Sequence, residues 1–393
     1  MDFINRNISS NTNNYKNKML FVIKIFLIII FNYFCFQKDI YIFSILNHNP
    51  IIEEENKNIT WIKGIEYINK CLQGNLINKI PNYTKIYKIS VIIPVHNSNK
   101  TILYAIRSIQ NQNFIDFELI LVNDFSNDNS KEIIENYSKN DSRIKIINNS
   151  KNKGTLYSRC IGVLSAKGKY IFSLDNDDML FTNDLFNTIY QYQEETHFDI
   201  IVFHSVFSNK YTPKLDELVN GPYFHEHNLT LYQPELGRFI EKDLLVWTKS
   251  IKTIIYKKAI KIMGKKRYSN YISWGEDTSI MFIIFNVARS LRYLRKYGVF
   301  HIEANFCVSF RNETDKFIFG ELFLSNIIFD FSRKEDKNIV VGFIISLSRF
   351  DNFGIHKEFL RNILNKIIES RYITLNNKEE IKKKFEKYKL LDF

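Results

Sequence analysis

Three carboxylates stand close together directly after a short apolar run in the first half of the chain. Asp175, Asp177 and Asp178 follow the run 170–174 and are interrupted only by Asn176. At neutral pH these charges repel one another, and such a group usually has a counter-cation. A divalent metal held by one or two carboxylates, with phosphate oxygens in its other positions, satisfies this arrangement. The alternative is a solvated turn in which Asp178 caps the next helix.

Polar clusters also follow the other apolar runs of strand length. Residues 94–97 end the first run and residues 123–128 end the second, while 152–154 and 158–162 come after the third. In parallel α/β sheets, ligands bind at the carboxyl ends of the strands. We therefore expect these clusters and the three carboxylates to line one site.

The elements that must position these clusters alternate between strands and helices from Lys88 onward. Continuous apolar runs predict buried strands, and apolar residues at helical spacing predict helices between them. This order predicts right-handed βαβ units, a mostly parallel sheet and an α/β fold. The predicted strands are 89–94, 117–122, 144–147, 170–174 and 199–204, and the predicted helices are 101–110, 130–138, 155–166 and 184–192.

Four motifs lie in order between residues 88 and 205: IIPVHN, LVNDFSNDNS, NKGTLYSRCIG and LDNDD. Together they resemble the nucleotide-sugar half of a family 2 inverting glycosyltransferase, which has a GT-A, Rossmann-like fold. The resemblance implies a nucleotide-sugar donor, with UDP favoured because Asp124 would hold the base, and a divalent metal (Mn²⁺ or Mg²⁺). It implies nucleotide-sugar contacts from Val95, Asn97, Asp124, Gly154, Arg159, Asp175 and Asn176, and metal contacts from Asp175 and Asp177.

Three positions depart from the family's pattern. His96 stands where a tyrosine is commoner, and Asn123 replaces an acid that is often seen there. Phe125 replaces a usual glycine, which makes the turn after the second strand less permissive. None of these changes removes a carboxylate that the resemblance uses.

A second acidic pair, Glu276 and Asp277, follows Trp274 and precedes the helix-like segment 280–287. The pair could simply cap that helix. It also resembles the family's E-D element, in which the aspartate is the general base. The resemblance then implies that Asp277 is catalytic. Glu276 is the alternative candidate for the base and otherwise a residue that binds acceptor hydroxyls. Trp274 offers an apolar face to an acceptor sugar.

Two further residues have both a structural and a functional interpretation. Trp247 belongs to a W-x-K segment with Lys249, which resembles family members that build surface polysaccharides or modify glycans; the alternative is a core tryptophan with a surface lysine. His301 lies in the strand-like segment 298–302. A lone histidine is commonly structural, but in some GT-A enzymes a histidine in this region completes the metal site.

The apolar run 19–36 predicts a membrane-spanning signal-anchor, with a cleaved signal peptide or a core helix as alternatives. Basic residues precede this run, and the acidic run 53–55 lies on its far side. The positive-inside rule then predicts a type II orientation, with a cytosolic N-terminus and a lumenal catalytic domain in the Golgi or endoplasmic reticulum.

The composition of the chain limits the classes of ligand and partner that it could bind. The 393 residues carry 54 Lys and Arg against 42 Asp and Glu, a net charge of +12. This excess permits phosphate-bearing ligands or an anionic membrane, and we predict no nucleic-acid partner. The four cysteines form no C-x-x-C pair, which argues against a structural zinc site.

These observations predict a membrane-anchored enzyme that moves a sugar from a nucleotide-sugar to a hydroxyl of a glycan, lipid or protein. One alternative is an inactive, transferase-like binding protein, and another is a sugar nucleotidyltransferase. The latter usually needs a glycine-rich loop after the first strand, which PVHNSNKT lacks. The predicted organisation is a cytosolic tail (1–18), the anchor (19–36), a stem (37–87), a GT-A domain (88–316, with donor half 88–205 and acceptor half 206–316) and a helical C-terminal region (317–393).

Overall fold

The structure of the chain is a computed structural model. It describes residues 57–74, 87–208, 214, 218–220, 232–233, 238–239, 245–272, 275–302, 314–331, 337 and 356–386. The chain divides into two compact units, of which the larger comprises residues 50–331 and 353–356 and the smaller comprises 1–49, 332–352 and 357–393. The predicted anchor at 19–36 lies outside the described residues.

The larger unit is built on a mixed sheet with helices packed against it. The strands are β1 (Ile89–Val95), β2 (Phe117–Asn123), β3 (Ile144–Asn148), β4 (Tyr170–Ser173), β5 (Met179–Leu180), β6 (Ile200–Ser208), β7 (Val219–Asn220), β8 (Tyr232–Gln233), β9 (Arg238–Phe239), β10 (Lys249–Lys252) and β11 (Leu291–Ile302). The helices are α1 (Lys57–Gln73), α2 (Ile102–Gln110), α3 (Ser130–Asn140), α4 (Thr155–Ser165), α5 (Leu185–Thr196), α6 (Thr253–Met263), α7 (Lys265–Tyr268), α8 (Glu276–Val287) and α9 (Thr314–Phe331).

Within the described residues the main sheet has the order β3–β2–β1–β4–β10–β6–β11–β5, with β7 paired to β6. Strands β1 to β4 are parallel, and β6 pairs in parallel with β11. The predicted α/β fold with a mostly parallel sheet is therefore confirmed. Strand β10 was not predicted, and it lies antiparallel between β4 and β6. Its sequence, KSIK, has no apolar run that would have marked it as a central strand.

Alternate residues of the buried strands face two helical layers. Ile93 and Leu121 pack in a core with side chains of α2, α3 and α5. On the other face α4 packs closely on β1, because a Cβ atom placed on Gly162 would lie 2.5 Å from Ile92 Cγ2. Helix α6 contacts α4, α8 and β4 and so belongs to this second layer. The two layers bury β1 and β2 completely and fix the positions of their carboxyl ends.

Helix α1 falls within the segment predicted as a stem and packs on the α/β unit. Trp61 and Ile68 are buried in a cluster with Phe181 and Phe300. Arg107 of α2 donates a hydrogen bond to the Leu72 carbonyl at 3.2 Å. This part of the predicted stem thus supplies core side chains, a feature that its sequence did not reveal because the contacts join residues far apart in the chain.

In the smaller unit the described residues form two helices, α10 (Lys357–Glu369) and α11 (Leu375–Phe385). Helix α10 buries four aliphatic side chains on one face. Thr374 caps α11, since its side chain accepts a hydrogen bond from the Asn377 amide at 3.3 Å. The predicted helical C-terminal region is confirmed by these helices and by α9.

Candidate active site

The carboxylate of Asp124, at the carboxyl end of β2, accepts three hydrogen bonds. Its Oδ1 accepts from Asn149 Nδ2 and from the Lys153 amide, both at 2.8 Å, and its Oδ2 accepts from the Gly154 amide at 2.7 Å. The side chain is buried. Asp124 therefore fixes the loop that leads into α4, and Gly154 in that loop has a φ of +87°, which glycine adopts without strain.

Side-chain amides that the sequence assigned to the nucleotide-sugar join the end of β1 to the ends of β4 and β2. Asn176 Nδ2 donates to the Pro94 carbonyl at 3.0 Å. Asn97 Oδ1 accepts from the Asn127 amide at 2.8 Å. Val95 is buried, and its carbonyl accepts from the Asp124 amide at 2.7 Å. The predicted residues thus converge on one edge of the sheet, as expected for an α/β ligand site.

Two non-glycine residues at this edge have left-handed backbone conformations. Asn97 has a φ of +48° and Phe125 a φ of +58°. Asparagine tolerates this region, whereas a phenylalanine there costs roughly 1–2 kcal/mol. The departure at Phe125 is therefore a strained turn. Its ring is 48% exposed at the edge of the site.

Arg159 joins the two predicted halves of the site. The guanidinium is 1% exposed, and its Nη2 donates to Asp175 Oδ1 at 2.9 Å. Its Nη1 donates to Asp277 Oδ1. The predicted contact of Arg159 with the nucleotide stays a prediction; the structure shows its guanidinium buried and paired with two carboxylates. Asp175, after β4, and Asp277, in the first turn of α8, are held together by this one cation.

Replacing Arg159 with methionine should strongly destabilise the fold. The substitution keeps an apolar stem but leaves Asp175 and Asp277 without their shared cation. Removing one partner of a buried ion pair typically costs about 3–5 kcal/mol. We expect a loss of that size in the free energy of unfolding, measured by urea denaturation. The matched control is Arg289→Met, because the Arg289 side chain is exposed and such changes usually stay within about 0.5 kcal/mol. Equal stability of the two variants would contradict the bridging role of Arg159.

A second group lies beside the acidic turn. His301 Nδ1 is 2.8 Å from Asp178 Oδ1, and Trp247 stacks on the imidazole at a centroid distance of 5.2 Å. Burial disfavours the charged imidazolium, but Asp178, with Asp177 and Asp175, raises the pKa of His301 to about 9. Trp247 is buried and supports His301. This placement differs from the predicted contact with an acceptor, for which the ring would have to be exposed.

Three acidic groups of the site, Asp175, Asp178 and Glu276, have raised pKa values. Burial is the largest cause for Asp175 and for Asp178, and neighbouring carboxylates add to it. Burial, followed by the charge of Asp277, raises the pKa of Glu276 to about 7. Burial is the main cause of this common direction, and repulsion between neighbouring carboxylates adds to it. The site therefore favours an additional positive charge.

Of the predicted site residues, Trp274 lies outside the described residues. Sequence reasoning missed Asn149, which donates to Asp124, and the pairing of Asp178 with His301. Asn149 follows β3, where a strand-end position could have indicated a role. In an asparagine-rich chain that signal is weak, and the Asp178–His301 contact joins residues 123 positions apart.

Comparison with known proteins identifies the domain. A family model described as glycosyl transferase family 2 matches residues 90–253. Glycosyltransferase GlyG of Streptococcus pneumoniae is 32% identical over 114 residues, which are 29% of this chain and 38% of GlyG. The GalNAc(5)-diNAcBac-PP-undecaprenol β-1,3-glucosyltransferase of Campylobacter jejuni is 38% identical over 99 residues, 25% of this chain and 32% of that protein.

A solved structure shares the fold. S. aureus TarS 1–349 in complex with UDP-GlcNAc aligns with a TM-score of 0.52 and 20% identity over 72% of this chain and 81% of TarS 1–349. The chain spans less than two thirds of the length of the curated relatives that it matches. Residues 90–253 of this chain therefore match the model of glycosyl transferase family 2, and the chain shares the fold of TarS.

Proposed function

We propose that the chain is an inverting glycosyltransferase that moves a sugar from a UDP-sugar to an acceptor hydroxyl in one displacement. The observation that carries the proposal is the bridge from Asp175 through Arg159 to Asp277. It holds a carboxylate of the donor half beside a carboxylate of the acceptor half, within a family 2 domain. A donor bound beside Asp175 and an acceptor bound beside Asp277 would come together at this bridge.

The donor is proposed to lie along the carboxyl ends of β1, β2 and β4. Asn97, Asp124 and Gly154 border this edge, and the bound UDP-GlcNAc of TarS supports a uridine nucleotide. Asp124 already accepts three hydrogen bonds, but a carboxylate has about four acceptor sites. One site therefore remains for a base N–H.

Asp175, Asp177 and His301 are proposed to hold a divalent cation. Asp178 accepts at one oxygen from His301, so His301 Nε2 would be the ligating nitrogen, and the cation would have to displace the proton that the raised pKa of about 9 places there. Asp178 Oδ2 is buried with no hydrogen-bond partner in the described part of the chain. This orphaned oxygen and the excess of carboxylates fit a cation. Within the described ranges no three acidic, imidazole or thiol side chains form a ready-made metal site. The remaining ligands would then be phosphate oxygens and water, as is usual for Mg²⁺. When bound, the cation offsets the charge that develops on the leaving diphosphate.

Asp277 is proposed as the general base. It lies in the first turn of α8, where backbone amides and the helix dipole stabilise negative charge, and Arg159 donates to one of its oxygens. A charged carboxylate there can take the proton of the attacking hydroxyl. Glu276 and, by sequence alone, Trp274 are proposed to contact the acceptor. The C. jejuni relative named above carries undecaprenol in its description, which supports a lipid-linked glycan among the possible acceptors.

A donor screen tests the function. The full chain is incubated with Mn²⁺ and a panel of UDP- and GDP-sugars, with and without a membrane extract as the acceptor source, and released nucleoside diphosphate is measured. We expect release with one UDP-sugar, increased by the extract. Binding of donor without release would favour an inactive, transferase-like protein. Pyrophosphate release from a nucleoside triphosphate and a sugar phosphate would favour a nucleotidyltransferase.

The membrane topology is a separate proposal. In the part of the chain that the structure describes, no helix is long and apolar enough to cross a membrane. The two relatives named above are bacterial, so they lend no support to the predicted Golgi or endoplasmic reticulum location. We keep the type II orientation, which rests on the run 19–36 and its basic flank.

Protease digestion of sealed microsomes tests this orientation. If the run 19–36 is an anchor with a cytosolic N-terminus, residues 37–393 should be protected until detergent is added. The control is a variant with Lys16 and Lys18 changed to glutamate, which weakens the positive flank and should reduce the protected fraction. Digestion of the catalytic region without detergent would contradict the orientation.

A further inference from the structure

Helices α6 and α7 present an exposed row of side chains that the proposed reaction does not use. Ile254, Lys258, Lys261 and Ile262 of α6 are exposed, and their spacing of four, three and one positions places them on one side of that helix. Gly264 ends α6, and Lys265 is exposed at the start of α7. The opposite side of α6 is buried in the core. Ile254 is 73% exposed and Ile262 is 39% exposed, which is unusual for aliphatic side chains on a packed helix.

The charge of this row is entirely basic. Between Asp243 and Glu276 the sequence contains eight Lys and Arg residues and no acid. Some of these are neutralised by neighbours, since Lys252 pairs with Asp199 and Arg267 pairs with Asp330. Lys249 and Lys257 donate hydrogen bonds to backbone carbonyls. The ammonium groups of Lys258, Lys261, Lys265 and Lys266 make neither an ion pair nor a hydrogen bond with any residue in the described ranges.

A groove lies at the start of the row. Its volume is about 640 Å³, and it is lined by Ile254, Thr253 and the five lysines Lys169, Lys252, Lys257, Lys258 and Lys261. Lys169 and Lys252 have acidic partners, and the Lys257 ammonium donates to the Ala166 carbonyl at 2.7 Å. Lys258 and Lys261 remain to attract an anion of the size of a phosphate headgroup.

We propose that this α6–α7 face docks on the surface of an anionic lipid bilayer. Basic side chains interleaved with exposed aliphatic ones are the pattern of a helix that lies in a membrane interface. The lysines would meet lipid phosphates, and Ile254 and Ile262 would enter the boundary between headgroups and acyl chains. A soluble phosphate or a nucleic acid would use the lysines alone and leave the isoleucines in water.

The position of this face relates docking to the active site. After α7 the chain continues to Tyr271, whose ring is 45% exposed. A Cβ atom placed on Gly154 would lie 3.3 Å from Tyr271 Cδ2, so this ring adjoins the loop that Asp124 fixes. The α6–α7 face therefore reaches the donor edge of the sheet only at its α7 end, because at its other end the Thr253 amide donates to the Lys169 carbonyl, just before β4. This inference goes beyond the proposed reaction and does not depend on it.

Amine acetylation with peptide mass spectrometry tests the proposal on the full chain. We expect Lys258, Lys261, Lys265 and Lys266 to be acetylated about tenfold more slowly on vesicles of phosphatidylglycerol and phosphatidylcholine than in solution, as attraction of lysines to anionic lipid predicts. Pure phosphatidylcholine vesicles should give little protection, because they carry no anionic lipid. The anchor at 19–36 would hold the chain on both kinds of vesicle alike, so the comparison isolates the effect of the anionic lipid. As internal controls on the opposite helical layer and α1, the exposed Lys63, Lys70, Lys131 and Lys139 should react at unchanged rates.

A pair of matched variants isolates the aliphatic contribution. Ile254→Asp with Ile262→Asp should abolish the protection, whereas Ile59→Asp with Ile62→Asp on α1, where both residues are also exposed, should preserve it. Circular dichroism confirms that each variant is folded. Equal protection of both lysine sets, or no protection on anionic vesicles, would overturn the proposal. The proposal would also be overturned if soluble tripolyphosphate gave full protection of the four lysines and the Ile254/Ile262 variant kept that protection. That result would indicate a polyanion site that needs no bilayer.

Discussion

Replacing Asp177 with alanine should abolish sugar transfer. Asp177 lies in the turn after β4, between Asp175 and Asp178, whose pKa values are raised by burial first and by neighbouring carboxylates as well. If Asp177 holds the cation that offsets the charge on the leaving diphosphate, its loss removes electrostatic stabilisation of the transition state. Stabilisation of this kind is commonly worth about 10²- to 10³-fold for a single donor, and a cation serves more than one oxygen. We therefore expect a fall of about 10³-fold or more in the transfer rate.

The measurement combines activity with donor binding. Wild-type protein should bind UDP-sugar more tightly with Mn²⁺ than with EDTA, and Asp177→Ala should lose that difference while keeping the unfolding midpoint. Asp116→Ala is a suitable control, because Asp116 pairs with Lys88 before β1, at the opposite end of the strand from the site. Near-normal transfer by Asp177→Ala, or by the wild type in EDTA, would show that the acidic cluster is only a capped turn.

The donor half of the fold was predictable because local signals and the global architecture agree there. The runs that become β1 and β2 are buried at every position, so their apolar composition alone marks them as strands. Once the strands are parallel, the polar residues that follow them must meet at one edge. The sequence therefore predicted both the sheet and the convergence of Asn97, Asp124 and Asp175 on one site.

The acceptor half was less predictable because its contacts join distant segments. Strand β10 is only four residues long, and it is stabilised by antiparallel pairing with β4 and β6 on both sides. The stacking of Trp247 on His301 depends on β10 and β11 being placed in the same sheet. The bridge made by Arg159 also depends on tertiary structure, because it joins residues 118 positions apart. Periodicity and spacing carry no information on such pairings.

Asp277→Asn should reduce transfer by about 10²- to 10⁴-fold, the typical contribution of a general base. The amide keeps the shape of the side chain and can still accept from Arg159, but it cannot take a proton from the acceptor. Donor affinity should change little, because the donor is proposed to lie on β1, β2 and β4. Steady-state kinetics with donor and acceptor varied separately will test this, as the loss should fall on kcat.

Glu276→Gln distinguishes Asp277 from its neighbour. With Asp277 as the base, Glu276→Gln should lower activity less and mainly raise the KM for the acceptor. One observation favours Glu276 as the base instead. Burial raises the pKa of Glu276 to about 7, near the value at which a base works best. A base must be deprotonated to act. If Glu276 were the base, kcat/KM of the wild type would rise with pH through about 7, and Glu276→Gln would be inactive while Asp277→Asn retained the wild-type rate. If both variants were active, the acidic pair would be a helix cap, and the base would lie elsewhere.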